Sequence, residues 1–183
     1  MPSPIGHALG GVAVAWGADV LDRRPSSARL VAVAAIVAAL PDADLLIPGT
    51  HRTGSHSLVA AAVVFIIAAA VTGKVTRWRT ATICGAAYAS HLLLDWLGAD
   101  NYPPRGLQLF WPFNGTWYIS DLDLFRQTAR RHLLAAPTIR QNTLAVLQEI
   151  AILGPIVAVV WLVRVKALTR FAPELSRSHH PAK

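Results

Sequence analysis

Apolar residues run almost unbroken through five stretches of the chain, and polar residues gather in the joints between them. The first stretch is IGHALGGVAVAWGADVL, residues 5–21, short and glycine-rich; the second is ARLVAVAAIVAALPDADLLIP, residues 28–48, interrupted by Pro41. SLVAAAVVFIIAAAVTG, residues 57–73, is the cleanest, whereas TATICGAAYASHLLLDWLG, residues 80–98, carries a His and an Asp. TLAVLQEIAILGPIVAVVWLV, residues 143–163, contains Gly154-Pro155, where a helix is expected to kink. A helix crosses the hydrocarbon core with ~20 residues, so the first and third stretches fit tilted or partly re-entrant helices. The pattern predicts an all-α, multi-pass transmembrane domain over residues 1–170, with about four to five membrane helices. A polar tail, 171–183, ending SRSHHPAK, reads as disordered.

Composition points the same way. Hydrophobic residues make up 54% of the 183 and charged residues only 15%, against about a quarter in soluble domains; mean hydropathy is +0.42. The single Cys84 excludes an intrachain disulfide and a cysteine-rich zinc site, so any metal must be held by His and carboxylates. A net charge of +7 would suggest nucleic acid in a soluble protein. Here no basic residues interleave with aromatics on a polar surface, and the charge is better assigned to loops that set orientation and touch anionic headgroups. No direct nucleic-acid binding is expected. No Lys or Arg precedes Arg23, so the basic n-region of a cleavable signal peptide is missing and the first stretch is expected to remain in the mature protein.

The basic residues then orient the chain. Arg23, Arg24 and Arg29, then Lys74, Arg77 and Arg79, then Arg164, Lys166, Arg170, Arg177 and Lys183 fall on one side. Arg52, Arg105, Arg126, Arg130, Arg131 and Arg140 fall on the other. Eleven against six places the first side in the cytoplasm and the N-terminus outside.

Threaded this way, the titratable residues collect on one face. His7 opens the first helix, Asp42 and Asp44 end the second, His51, Arg52 and His56 occupy the following connection, and His91 and Asp95 lie near the end of the fourth. Only Asp19 and Asp22 are acidic near the opposite face. Ionisable groups at membrane depth are costly and mark a polar cavity or a partner. Asp42, Asp44 and Asp95 sit at helix C-termini, where the macrodipole is already negative, so a cation is needed to compensate them. His91 and Asp95 are i and i+4 and leave one helix face. Pro41 biases Leu40 away from helical geometry and frees Asp42 and Asp44 to turn towards one centre. Gly54 permits a tight turn, and Ser55 is placed to cap the third helix with His56 in its first turn.

Each element has a plainer reading. HxxxD can be a hydrogen-bonded pair between helices, DxD a solvated loop, His51 and Arg52 lipid-phosphate contacts, and His7 a cap at the chain start. Glu149 reads as an interfacial residue, an extra ligand or a general base, and His132 lies in RQTARRHLL, most simply an amphipathic surface helix. The convergence of four segments favours a metal site made of His7, Asp42, Asp44, His51, His56, His91 and Asp95.

IGHALGG, ALPDADLLIP, HRTGSHSL and SHLLLDWL, followed by GLQLFWPF, resemble in order and spacing the LexA-binding, inner-membrane-associated family assigned as metal-dependent hydrolases. The match covers roughly residues 5–113 and implies a small multi-helix domain of the bacterial inner (plasma) membrane. More distantly, the His and HxxxD elements are similar to the zinc-dependent phospholipase C and nuclease group, which would make His7, Asp42, Asp44, His56, His91 and Asp95 ligands. This chain has no second HxxxE helix after residue 100, which fits one or two ions rather than three.

The leading expectation is a membrane-bound hydrolase using a divalent metal, Zn²⁺ by its His and carboxylate ligands. Asp42 or Asp44 would accept a water proton and Arg52 would clamp a phosphate. The aromatic stretch LFWPFNGTWY, with Trp111, Phe113, Trp117 and Tyr118, suits an interfacial ledge for a phosphoester or lipid-like substrate. Two rivals remain: a non-enzymatic membrane protein with a buried His/Asp/Arg network, and an interaction module whose basic tail recruits a cytoplasmic protein partner.

Overall fold

The computed structural model describes residues 1–47 and 50–177. They form five α-helices: α1 Pro4–Asp22, α2 Ala28–Ala39, α3 Leu58–Val71, α4 Arg77–Leu97 and α5 Ala136–Arg177. Two 3₁₀ turns, Leu40–Leu46 and Gly54–His56, join α2 to α3. No extended strand occurs among the described residues. Among the described residues, only α5 is long and apolar enough to cross a membrane by itself. The all-α expectation therefore stands, and the number of spans does not follow from helix length. Residues 178–183 of the tail lie outside the described residues; α5 itself continues past 170 to Arg177.

Local chemistry sets the helix ends. Ser3 caps α1, with Pro4 at its first position, where the missing N–H is no loss; the chain leaves through Arg23 in the left-handed region. Ser27 caps α2 by accepting from Leu30 N–H at 3.2 Å. At Pro41 the chain tightens instead of unwinding. Leu40 keeps helical angles (φ −62°, ψ −37°), contrary to the expected extended bias, because Pro41 opens a 3₁₀ turn whose first residue needs no donor. The cap of α3 is Ser57, which accepts from Ala60 N–H at 3.1 Å. Ser55, the expected cap, is one turn too early and donates to Asp44. His56 accordingly precedes α3 rather than standing in its first turn.

α1 is the hub, packed on α2, α4 and α5, while α3 packs on α4 alone. Small residues bring α1 and α2 together: Ala15, Ala34 and Ala38 are fully buried, and a Cβ added to Gly11 would strike the Ala34 carbonyl. The outward faces remain apolar, with Ile36, Ile66, Val71 and Val159 all more than half exposed.

The segment RQTARRHLL is not a helix. Its backbone is held by side chains of other elements, Arg126 N–H by Gln148 at 2.9 Å and Ala129 N–H by Asn142 at 2.7 Å. Amphipathic spacing is overridden by tertiary hydrogen bonds that fix an irregular path along α5. Helix α5 runs through Gly154-Pro155 without a break in its helical assignment.

Candidate metal centre

Four elements deliver side chains to one buried point at the end of the bundle. α1 supplies His7, the 3₁₀ turn after α2 supplies Asp42, the 3₁₀ turn before α3 supplies His56, and α4 supplies His91 and Asp95. His7, His56, His91 and Asp95 are 0% exposed, and the Asp42 side chain is 12% exposed. Asp42 is thus the one member that reaches towards the surface.

Asp95 Oδ2 lies 3.2 Å from His91 Nε2 and 3.4 Å from His56 Nε2, while its Oδ1 lies 3.3 Å from His7 Nε2. The His56 and His91 Nε2 atoms are 3.0 Å apart, and Asp42 approaches the three imidazoles at 3.8 to 4.0 Å. The His7 and His91 rings stack with centroids 3.7 Å apart. Donors bound ~2.0–2.1 Å from a tetrahedral zinc stand ~3.3 Å from one another, so these separations are those of a ligand shell.

Hydrogen bonding around the centre makes the same point. Both ring nitrogens of His7, both oxygens of Asp95 and Oδ1 of Asp42 are buried without a hydrogen-bond partner. Such orphans are rare because each costs on the order of 1–3 kcal/mol or more. The other ring atoms are engaged where a ligand histidine needs them. His91 Nδ1–H donates to the Ala38 carbonyl at 2.8 Å, which leaves its Nε2 lone pair pointing into the cluster. His56 Nδ1 faces Asp44 Oδ2 at 3.1 Å, a carboxylate–histidine pairing that orients the imidazole.

Asp44 stands behind this shell. Its Oδ1 accepts from His51 Nδ1–H at 2.6 Å, and its Oδ2 accepts from Arg52 N–H at 3.1 Å and Ser55 Oγ–H at 2.5 Å. Burial works against the Asp44 carboxylate, but the bonds from His51 and His56 outweigh it and hold its pKa well below the usual range. His51 is pushed down, mainly by burial, so its ring is neutral near pH 7. Asp44, His51 and His56 form a second group with one ligand atom each within 4.8 Å of one another.

The seven residues expected to hold metal thus divide. His7, Asp42, His56, His91 and Asp95 meet; Asp44 and His51 lie one layer out, with His56 shared between the groups. Arg52 is placed differently from the expected phosphate clamp. Its guanidinium is buried against Asp100 and the Tyr102 carbonyl, and it bolts the loop after α4 to the PDAD turn. Asp100 is a residue the pattern gave no reason to choose. It is 1% exposed and also accepts from Gly106 N–H at 2.8 Å, where φ is +94° and a Cβ would meet the Tyr118 carbonyl. Glu149 is not at an interface. It is fully buried and accepts from Ser3 N–H at 2.7 Å, tying α5 to the start of α1. His132 is in the irregular segment before α5 and has no contact with the cluster.

A family profile described as YdjM inner membrane protein matches residues 1–169. The chain belongs to the YdjM inner membrane protein family. The match takes in all four elements of the centre and places the protein in the inner membrane. It agrees with the inner-membrane part of the resemblance drawn from the motifs, and nothing in it bears on LexA binding or on kinship with phospholipase C and nucleases. No curated protein and no solved structure matches the chain.

Proposed function

We propose that this is a membrane-embedded, divalent-metal-dependent hydrolase acting on a phosphoester or lipid-like substrate. The observation that carries the proposal is the set of buried, unpartnered atoms of His7, Asp42 and Asp95 gathered with the His56 and His91 Nε2 atoms, Asp95 standing 3.2 to 3.4 Å from all three imidazoles. On this reading α1 to α4 lie within the bilayer beside α5, which accounts for the outward apolar faces of α2 and α3.

His56, His91 and Asp95 would hold a cation such as Zn²⁺, with His7 completing the shell. When bound, such an ion supplies Lewis acidity for polarising a phosphoryl or acyl oxygen. The chain's own residues supply the rest. Asp42, partly reachable and with Oδ1 unpartnered, is the carboxylate placed to accept a proton from an attacking water. Asp44 has both oxygens occupied, so it orients His56 and His51 rather than acting as base. Leu45, Leu46 and Ile47, next to Asp44, are 45%, 85% and 59% exposed, and Phe113 is 86% exposed. An apolar rim beside a buried polar centre suits a substrate that arrives from the bilayer.

Metal content of the protein purified in mild detergent decides the matter, with chelator-stripped and zinc-restored samples assayed on phosphoester and lipid substrates. The expected result is near-stoichiometric zinc and turnover that is lost on stripping and recovered on restoration. Protein that carries no stoichiometric divalent ion and ignores chelator would instead favour a buried His–Asp network without catalysis.

A further inference from the structure

Helices α2 and α3 both pack against α4. Between them lies a groove of about 850 Å³, floored by Thr76, Thr80 and Cys84 of the α4 side. That volume falls within the ~300–1,000 Å³ of ligand pockets. Its walls are aliphatic: Leu30, Val33, Val37 and Leu40 on α2, and Val64, Ile67, Ala68 and Val71 on α3. From Ser27 to Leu40 the α2 wall runs about 20 Å at ~1.5 Å per residue. One leaflet of a hydrocarbon core is ~15 Å deep, so the groove accommodates an acyl chain from a single leaflet.

The two ends of this groove differ in charge. The end at Leu40 is apolar, while the end at Pro25, Ser27 and Thr76 carries Arg29 and Arg79. Arg79 is committed to Asp19 and Asp22, whereas Arg29 is exposed and pairs with no carboxylate among the described residues. Lys74, in the turn before α4, is also exposed and unpaired in that sense. The α2 N-terminus opens at the same place and adds partial positive charge. An apolar trough with a cationic mouth is complementary to an amphiphile with an anionic head.

We propose that the groove between α2 and α3 binds one anionic phospholipid, with an acyl chain between the helices and its phosphate at Arg29. The basic mouth of this groove lies at the end of α2 away from the His/Asp cluster, and the site does not depend on metal. It binds the lipid as a resident ligand of the fold, and the basic face this assigns is the cytoplasmic one, where anionic lipid attracts juxtamembrane Lys and Arg.

The test is native mass spectrometry of the full chain in mild detergent, titrated with phosphatidylglycerol, phosphatidylcholine of the same chain length, and inorganic phosphate. The expected result is one phosphatidylglycerol retained per chain, about thirtyfold more tightly than phosphatidylcholine for two basic contacts, with inorganic phosphate a poor competitor. Ala68→Trp, which fills the trough, abolishes retention, whereas Val63→Trp on the exposed side of α3 leaves it unchanged. Arg29→Glu, at an exposed position, brings the two lipids within about twofold. Equal affinity for both lipids in the wild type, retention that survives Ala68→Trp, or full displacement by inorganic phosphate would each overturn the proposal.

Discussion

The two ends of the helical bundle each bury a carboxylate completely, and they treat it in opposite ways. Asp19, on α1, accepts from Ser26 N–H at 2.8 Å, Ser26 Oγ–H at 2.6 Å, Arg79 at 2.7 Å and Arg164 at 2.5 Å. Both oxygens are bonded, and the residue clamps α1, α4 and α5 together. Asp95, on α4, has three imidazoles within 3.4 Å and no hydrogen bond to either oxygen. A carboxylate that serves structure is satisfied by the chain itself. One left open among open imidazoles is arranged for something the chain does not contain.

The comparison is broken or sharpened most strongly at Asp95. Asp95→Ala is expected to eliminate bound zinc by elemental analysis while leaving the metal-free protein at least as resistant to denaturant, since an unpaired buried carboxylate is removed. A variant with full metal content would place the ion elsewhere. Asp19→Ala should do the reverse. It strands Arg164 and part of Arg79 and is expected to cost about 2–3 kcal/mol once the partial exposure of both arginines is discounted. Metal content should hold in samples that remain folded, as read by denaturant titration in detergent.

Asp44→Asn is expected to have the smallest of these effects, a loss of about 10- to 100-fold in zinc affinity through a disoriented His56, measured by competition with a chromogenic chelator. The pH dependence of the wild-type Asp44 brace follows from its direction of shift. A carboxylate whose folded pKa is depressed contributes fully above its unfolded value of ~3.9 and loses that contribution as pH falls towards the folded one. The Asp44 carboxylate itself should therefore titrate only below about pH 5, read as an acid-side loss of stability in wild type that Asp44→Asn lacks. A difference within about pH 5–8 belongs instead to His51 and His56, which bond to it.

How much of this was legible in the sequence depended on the range of the interaction. Apolar runs gave the helices, because burial and helix period are local properties of the chain. The i, i+4 pair His91–Asp95 was visible for the same reason, and PDAD stood out because carboxylates at a helix end demand an explanation. Which of the two Asp residues meets the imidazoles was not visible. That depends on the 3₁₀ path after Pro41, set by packing and not by the extended bias of Leu40. Ser57 displaced Ser55 as the cap because Asp44 competes for the Ser55 hydroxyl. Asp100 is held by Arg52, 48 residues away, Glu149 by Ser3, 146 away, and the irregular 126–134 segment by Asn142 and Gln148, 13 and 22 away, and no short-range pattern encodes these pairings. Glu149 did leave one signal, a lone acid in an apolar helix, and its cost of burial was the reason to look for a buried partner rather than an interface.

The contact of Gly11 with the Ala34 backbone has a bearing on the distant His/Asp cluster. His7 sits one helical turn before Gly11, and Ala38, whose carbonyl positions His91, sits one turn after Ala34. The thickness of a single glycine is therefore the spacer between the rod that carries one imidazole and the rod that aims another. A methyl group at residue 11 would wedge these rods apart and misalign a His/Asp cluster it never touches.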